Sequence, residues 1–367
     1  MRRGLISWSR DEVPESVLDH RVARLQEAML VQGLGVVFAY TSFAQPAVVS
    51  WLSHFVPYWS EALLAVFPSG KPVLLAALTK RVHPWIREVS HVGEVIAAPK
   101  LGRAAARLLK ERFKEPARIG IVDRDTMPWS VAEALNEPRI GITLVDATAL
   151  FAGIRQPADE AEVKLAQRAA DIAAGAFSAV PSNARRASEV LAAMEQAARL
   201  KGAEEVILRI APDLGSSAVL RRIEGEAALG ARYSVELSLA YKATWIRMAR
   251  SLSPNGAPEE WKHASQWFAE TVATLDEKGV AAGSAATVPP PGAISSWTVE
   301  ACLDSQPLAV VSRGASSAAA AAPRSSLPEG SLAVLSLQLN LASGPWHAAA
   351  PFVLGAPGRL APQSLTS

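Results

Sequence analysis

Cysteine is almost absent: Cys302 is the only one in 367 residues. That excludes an intrachain disulfide and leaves nothing in the thiol content that calls for an oxidising compartment, so the cytoplasm is the expected location. A surplus of charge is also missing. Thirty-seven Lys and Arg stand against 35 Asp and Glu, a formal net charge of +2, too little to neutralise a phosphate backbone, and nucleic acid is not expected as the principal partner. No long apolar run suggests a membrane span either. Residues 43–60 lack Asp, Glu, Lys and Arg, but Pro46, His54, Pro57 and several serines interrupt them, whereas a span needs about 20 predominantly apolar residues. They read as a buried or interface segment, and no membrane association is expected. After Arg2 and Arg3 only Leu5 and Ile6 precede Trp8, Ser9, Arg10 and Asp11, too short for the apolar core of a signal peptide.

What the chain has is apolar mass. Half of its residues are hydrophobic, enough at this length for one large core or two ordinary ones, and a globular two-domain protein is the natural reading. From Ser16 to Gln32 the residues Val17, Leu18, Val22, Leu25 and Met29 recur near helical spacing, and Gly33 closes the run. Leu34–Ala39 reads as a strand, and Ala62–Phe67 and Val73–Ala77 read as a hairpin around Pro68-Ser69-Gly70-Lys71-Pro72. A helix over Gly102–Lys114 then leads to strands at Arg118–Val122 and Thr143–Val145. Residues 1–155 are thus expected to form an α/β domain.

The clearest boundary is Ile154-Arg155-Gln156-Pro157-Ala158-Asp159-Glu160-Ala161-Glu162, where Pro157 lies outside a helix and Asp159 and Glu162 have capping-box spacing. Val163, Ala166, Ala169, Ile172, Ala173 and Phe177 supply the buried stripe of that helix. A second helix over Ser188–Leu200 ends at Gly202, strands are expected at Glu205–Ile210 and Tyr233–Tyr241, and a helix over Ala257–Asp276 stops at Gly279. Beyond Gly279 charge nearly vanishes: Glu300, Asp304, Arg313, Arg324, Glu329 and Arg359 are the six charged residues among the last 89. Leu332–Leu341 and Pro351–Leu354 still read as strands, whereas the Ala- and Ser-rich stretch Gly314–Pro323 reads as a loop or a small-residue helix. A second domain is therefore expected over 156–367.

This order of elements, with Ile154-Arg155-Gln156-Pro157 entering an Ala-rich helix and Gly202-Ala203-Glu204 closing the next, resembles the creatinase, prolidase and aminopeptidase P superfamily. The resemblance spans nearly the whole chain. It implies an α/β N-terminal domain followed by an α+β "pita-bread" domain of the creatinase/aminopeptidase type, and a homodimer.

The metallopeptidases of that superfamily hold two divalent ions with two Asp, one His and two Glu. Such an oxygen-rich site activates a bridging water and polarises the scissile carbonyl. The Asp pair lies eleven residues apart, with an Arg three residues after the second. Here Arg250 matches that Arg, Glu236 stands at the first Asp position and Arg247 at the second, with Tyr241 and Trp245 between them. A guanidinium has five donors and no acceptor, so Arg247 cannot ligate a metal. None of the six histidines lies in a Gly-His-Gly context, and Trp297–Pro307, with Glu300, Asp304 and Gln306, takes the place of the His segment. Leu335-Ser336-Leu337-Gln338 resembles the strand of the first Glu, with Gln338 or Ser336 in its place. Phe352–Gly358 resembles the strand of the second, with Ala356 in its place. The resemblance is thus to a degenerate member that lacks the metal ligands, and no metal or other cofactor is expected.

Glu236 and Arg247 are the candidate catalytic pair, against the alternative that they form an ordinary ion pair at a strand end. Arg247 and Arg250, three apart, would point to opposite faces of a regular strand. Tyr241, Trp245, Arg250, Glu300, Gln338 and His54 are the candidate binding residues. For His54, packing or a subunit contact is favoured over catalysis, because it lies in the aromatic run Trp51–Trp59. Cys302 is read as a small core residue. Two functions are consistent with these residues. One is a small-ligand binder or regulatory protein without Xaa-Pro peptidase activity. The other is a metal-independent, creatinase-like hydrolase of C–N bonds in a small amide, dipeptide or guanidino compound.

Overall fold

The computed structural model describes residues 8–57, 60–136, 141–278, 289–301, 308–314, 327–356 and 360. Cys302, Asp304, Gln306 and most of the Gly314–Pro323 stretch lie outside them. The chain divides into two compact units, Leu5–Arg155 and Gln156–Ser367.

The first unit is a six-stranded mixed sheet with helices on both faces. Its helices are α1 (Glu15–Gln32), α2 (Ala47–Ser53), α3 (His83–Val89), α4 (Leu101–Arg112), α5 (Trp129–Asn136) and α6 (Thr148–Arg155). Its strands are β1 (Leu34–Ser42), β2 (Glu61–Val66), β3 (Val73–Ala76), β4 (Glu94–Ala97), β5 (Ala117–Val122) and β6 (Ile142–Asp146), in the order β4-β3-β2-β1-β5-β6. Period-two alternation explains the two cores. Val37 and Ala39 of β1 face a core that includes Leu25 and Met29 of α1 and Trp51 of α2. Val36 and Phe38 face one with Leu108 and Leu109 of α4 and Val131 of α5. The apolar run after Ala44 is therefore internal packing, with Trp51, Leu52 and His54 all buried. At the end of α1, Gly33 takes φ 62° and returns its N–H to Leu30 and Met29, which glycine does without a Cβ clash.

The second unit opens with α7 (Glu160–Ser178) and α8 (Ala187–Leu200), followed by β7 (Glu205–Ala211), β8 (Tyr233–Tyr241), β9 (Thr244–Leu252) and α9 (Glu259–Lys278). It continues through β10 (Ala293–Ala301), β11 (Leu308–Gly314), β12 (Leu332–Leu341) and β13 (Gly344–Val353). The strands form one antiparallel sheet in the order β11-β10-β12-β13-β9-β8-β7. Asp159 caps α7 by accepting a 2.8 Å hydrogen bond from the N–H of Glu162. All the helices lie on one face of this sheet. Val235, Leu237, Leu239, Ile246 and Met248 pack against the Ala-rich stripe of α7 and against α8. On the same face, Leu335, Leu337, Leu339 and Trp346 pack against Trp261, Ala264 and Phe268 of α9. Among the described residues, no helix is long and apolar enough to cross a membrane.

β13 differs from the sequence reading, which placed a strand only at Pro351–Leu354. It begins at Gly344: Trp346-His347-Ala348-Ala349-Ala350-Pro351 carries no β-branched signal, and β13 as a whole is held by ten consecutive partners along β12. Of Phe352–Gly358, Pro357 and Gly358 lie outside the described residues. β13 ends at Val353, and Ala356 lies past it, packed against the α7/α8 core.

Candidate functional site

The face of the sheet opposite the helices carries the polar side chains. Cross-strand register sets them in rows: Glu236 of β8 stands opposite Ala249 of β9 and Arg209 of β7, and Ala249 stands opposite Ala349 and then Ser336. One step along, Arg247 stands opposite Ser238. Ala240, Trp245, Ala249, Val334 and Ala349 form a small apolar patch between these groups.

At its centre is an ion cluster. Arg247 places Nη1 2.6 Å from Glu300 Oε2 and Nε 3.9 Å from Glu236 Oε1, while Nε donates to Ser238 Oγ at 3.1 Å. Arg209 reaches Glu236 Oε1 from β7 at 3.3 Å. The side chains of Arg247, Glu236 and Glu300 are only 10, 11 and 14% exposed, whereas that of Arg209 is 49% exposed and opens to solvent. Burial pushes the Glu300 carboxyl above the usual carboxylate range, opposed by Arg247, reinforced by the charge of Glu236 and opposed more weakly by Arg209.

A second polar network lies one step further along the same face. His347 Nδ1 is 3.0 Å from Ser234 Oγ, the Ser234 and Ser251 hydroxyls are 2.7 Å apart, and Ser251 Oγ accepts from the backbone N–H of His347 at 2.8 Å. Burial lowers the His347 pKa to about 4, partly offset by a hydrogen bond to the backbone of Ala218, so the ring is neutral at pH 7.

The sequence candidates separate by face. Glu236, Arg247 and Glu300 come together, and Trp245 and Gln338 lie on the same face, Gln338 opposite His347. Tyr241 and Arg250 do not join them, because each is an odd number of residues from its neighbour in the cluster and side chains alternate along a strand. Tyr241 packs against the α7/α8 core, and Arg250 is buried with its guanidinium 5.0 Å from the centre of the Phe177 ring of α7. His54 belongs to the first unit, where it caps the C-terminus of α2 at φ 60° and stacks on Trp8 at 6.4 Å. Sequence reasoning missed Arg209 and Ser238, which follow from strand register, and the Ser234–Ser251–His347 network. The one available signal for the last was a histidine inside an otherwise apolar stretch.

The five-ligand set of the resembling metallopeptidases does not fit these residues. Glu236 and Glu300 are the carboxylates of the cluster, and the guanidinium of Arg247 already bridges them. A divalent ion there would face a fixed positive charge that no protein environment removes. Among the described residues, no group of three or more His, Cys, Asp and Glu is arranged to hold a metal ion.

Residues 21–156 match the family model described as the Creatinase/Prolidase N-terminal domain. Among solved structures, the prolidase from Thermococcus sibiricus superposes with a TM-score of 0.64 at 16% identity, over 92% of this chain and 94% of that one. The Xaa-Pro dipeptidase from Bacillus anthracis gives 0.66 at 15% identity over 92% and 95%, and the X-Pro aminopeptidase from Thermotoga maritima gives 0.66 at 13% over 91% and 94%. No curated protein sequence matches the chain. The match to the creatinase/prolidase N-terminal domain model covers the first unit, and the chain as a whole has the pita-bread fold of the prolidases and Xaa-Pro aminopeptidases.

Proposed function

We propose that this protein binds a small molecule on the polar face of its second unit and is not an Xaa-Pro peptidase, its dinuclear metal centre having given way to an internal ion cluster. The observation that carries this reading is the 2.6 Å contact between Arg247 and Glu300. It places a permanent cation between the two carboxylates that a metal would need, so the charge that polarises a scissile carbonyl is tied up in holding the face together. Groups suited to a polar ligand surround the cluster: the half-exposed Arg209, the amide of Gln338 and Ser336 Oγ, which is buried with no hydrogen-bond partner among the described residues. A cytoplasmic homodimer completes the reading and rests on the family resemblance and the thiol content alone.

The test combines metal analysis with a ligand screen. Protein incubated with manganese, cobalt or zinc and then buffer-exchanged is expected to retain no stoichiometric metal by plasma mass spectrometry. Calorimetry with Xaa-Pro dipeptides, small amides and guanidino compounds is expected to show saturable binding without product. Retained stoichiometric metal, or hydrolysis of Xaa-Pro dipeptides, overturns the reading.

A second reading rests on Glu300, whose buried carboxyl is shifted toward the protonated form beside Arg247. A metal-independent hydrolase of C–N bonds would use Glu236 as base or proton shuttle and Arg247 as an oxyanion or carboxylate clamp. It requires turnover of a small amide, dipeptide or guanidino compound that Glu236→Gln abolishes while the variant remains folded.

A further inference from the structure

On the helix side of the second unit a cavity of about 620 Å³ opens in the seam between the α7/α8 core and the α9 core. None of the Arg247 cluster lines it. Its volume is that of a small-molecule site, for which mostly apolar walls with a few placed polar groups are the usual construction. Four aromatic side chains line it: Phe177 from the end of α7, Tyr233 from the start of β8, Trp261 from α9 and Trp346 from β13. Among the described residues that line it, Lys262 is the one that is charged, and there is no carboxylate.

Tyr233 is the informative member. It is 2% exposed, yet its hydroxyl makes no hydrogen bond within the described residues, and burial alone raises its pKa. That hydroxyl is not one of the sealed side-chain atoms left without a partner, so it keeps access to the cavity, where a bound group can take its hydrogen bond. The neighbouring Trp261, by contrast, donates Nε1–H to Ser343 Oγ at 3.3 Å. Lys262 donates to Glu259 Oε2 at 2.7 Å, but the side chain is 65% exposed, and such a surface pair is weak enough to be exchanged for a ligand anion.

We infer that this cavity binds a small aromatic molecule bearing one carboxylate, its ring held among Phe177, Trp261 and Trp346, its acid group accepting from the Tyr233 hydroxyl and facing Lys262. Aromatic walls favour a flat ring through offset and edge contacts. The lone cation and the unused donor select an anionic acceptor over an amine.

Saturation-transfer NMR and calorimetry on the full chain test this with phenylacetate and indole-3-acetate as probes and phenethylamine as the cationic control. The acids are expected to bind with Kd of about 0.1–1 mM, the range available to ligands of this size. The amine is expected not to compete. Tyr233→Phe removes only an oxygen with no hydrogen bond among the described residues, so its Tm should be unchanged or slightly raised, while the Kd of the acids rises about 10-fold or more, as for one lost hydrogen bond to a charged group. Ser265→Trp, which fills the cavity from α9, should abolish binding, and a second site elsewhere would leave binding intact in that variant. No binding of either acid at about 10 mM, at least about ten times the expected Kd, overturns the inference. So does a preference for the amine, or equal affinity in the Tyr233→Phe protein. Ser251 of the second polar network lies at the edge of this cavity, but the cavity and the ion cluster share no residue, so these results are independent of whether the ion cluster binds a ligand of its own.

Discussion

Arg247 and Glu300, 53 residues apart in the chain, meet at 2.6 Å, and Glu236 stands on the other side of the same guanidinium. All three side chains are largely withdrawn from water, so each charge depends on the others rather than on solvent. Replacing Arg247 with Met keeps the length and apolar stem but strands two carboxylates.

Arg247→Met is therefore expected to lose about 3–5 kcal/mol of stability at pH 7, the usual cost of breaking a buried pair on one side. The carboxyls left behind gain a reason to take up protons, Glu300 first, since its pKa is already raised in the intact protein. Protonation removes the stranded charge, so the difference between wild type and variant should shrink as the pH falls from 7 to 5. Urea unfolding at the two pH values measures this. A loss below about 1 kcal/mol, the scale of a surface ion pair, would show that solvent screens the cluster.

His347 gives a dependence of its own. Its pKa is lowered to about 4 in the folded protein, against about 6.5 for an unperturbed histidine. Between those values the unfolded chain binds a proton that the native state does not, so stability rises with pH through this window and is lost as the pH falls through it. The slope from this one group is about 1.4 kcal/mol per pH unit. His347→Gln, which cannot titrate, should flatten that part of the curve. An unchanged slope between pH 4.5 and 6.5 in the variant would assign the acid sensitivity to other groups.

The cap of α7 offers a simpler case. Asp159 Oδ1 accepts from the N–H of Glu162 at 2.8 Å at the entry to the helix whose stripe fills the core under β8 and β9. Asp159→Ala should cost about 1 kcal/mol and Asp159→Ser much less, since the hydroxyl can accept the same bond. Chemical denaturation of the two variants separates the lost cap from any effect of the lost charge.

Local signals made most of this fold readable: the stripes of α1 and α7, the Asp159 cap and the hairpin of β2 and β3 need only neighbours in the chain. Within the site, Glu236, Arg247 and Glu300 were legible through the family resemblance, and their convergence depends on β8, β9 and β10 presenting the same face. Alternation already separates Arg250 from Arg247 in the sequence, whereas Tyr241, counted there with the binding residues, is removed by the same rule once its strand is placed. Arg209 and Ser238 were not legible, because what puts them against Glu236 and Arg247 is the pairing of β7 with β8 and of β8 with β9. Most of β13 was hidden for a related reason: its Ala- and Pro-containing sequence is a strand only because β12 lies beside it.

The turn between β8 and β9 supplies the last prediction. Tyr241 pairs with Thr244, so Lys242 and Ala243 alone make the connection, and both have positive φ, 48° and 62°. Two-residue hairpins favour this left-handed pattern because it matches strand twist, but they normally fill it with Asn and Gly. A side chain with a Cβ costs about 1–2 kcal/mol there, and neither Lys nor Ala has the short polar group that lets Asn offset this. Ala243→Gly is expected to stabilise the protein by up to about 1 kcal/mol, since part of the relieved strain is returned as glycine's greater freedom in the unfolded chain. The Ala243 N–H, which meets Glu204 Oε2 at 3.4 Å, is a backbone group and is retained. Lys242→Asn should add to the gain. The hairpin carries both Glu236 and Arg247, so stabilising it should leave the cluster intact, and the pH dependence of unfolding should shift upward without changing shape. A destabilised Ala243→Gly variant would mean that Ala243 contributes packing that outweighs its backbone strain.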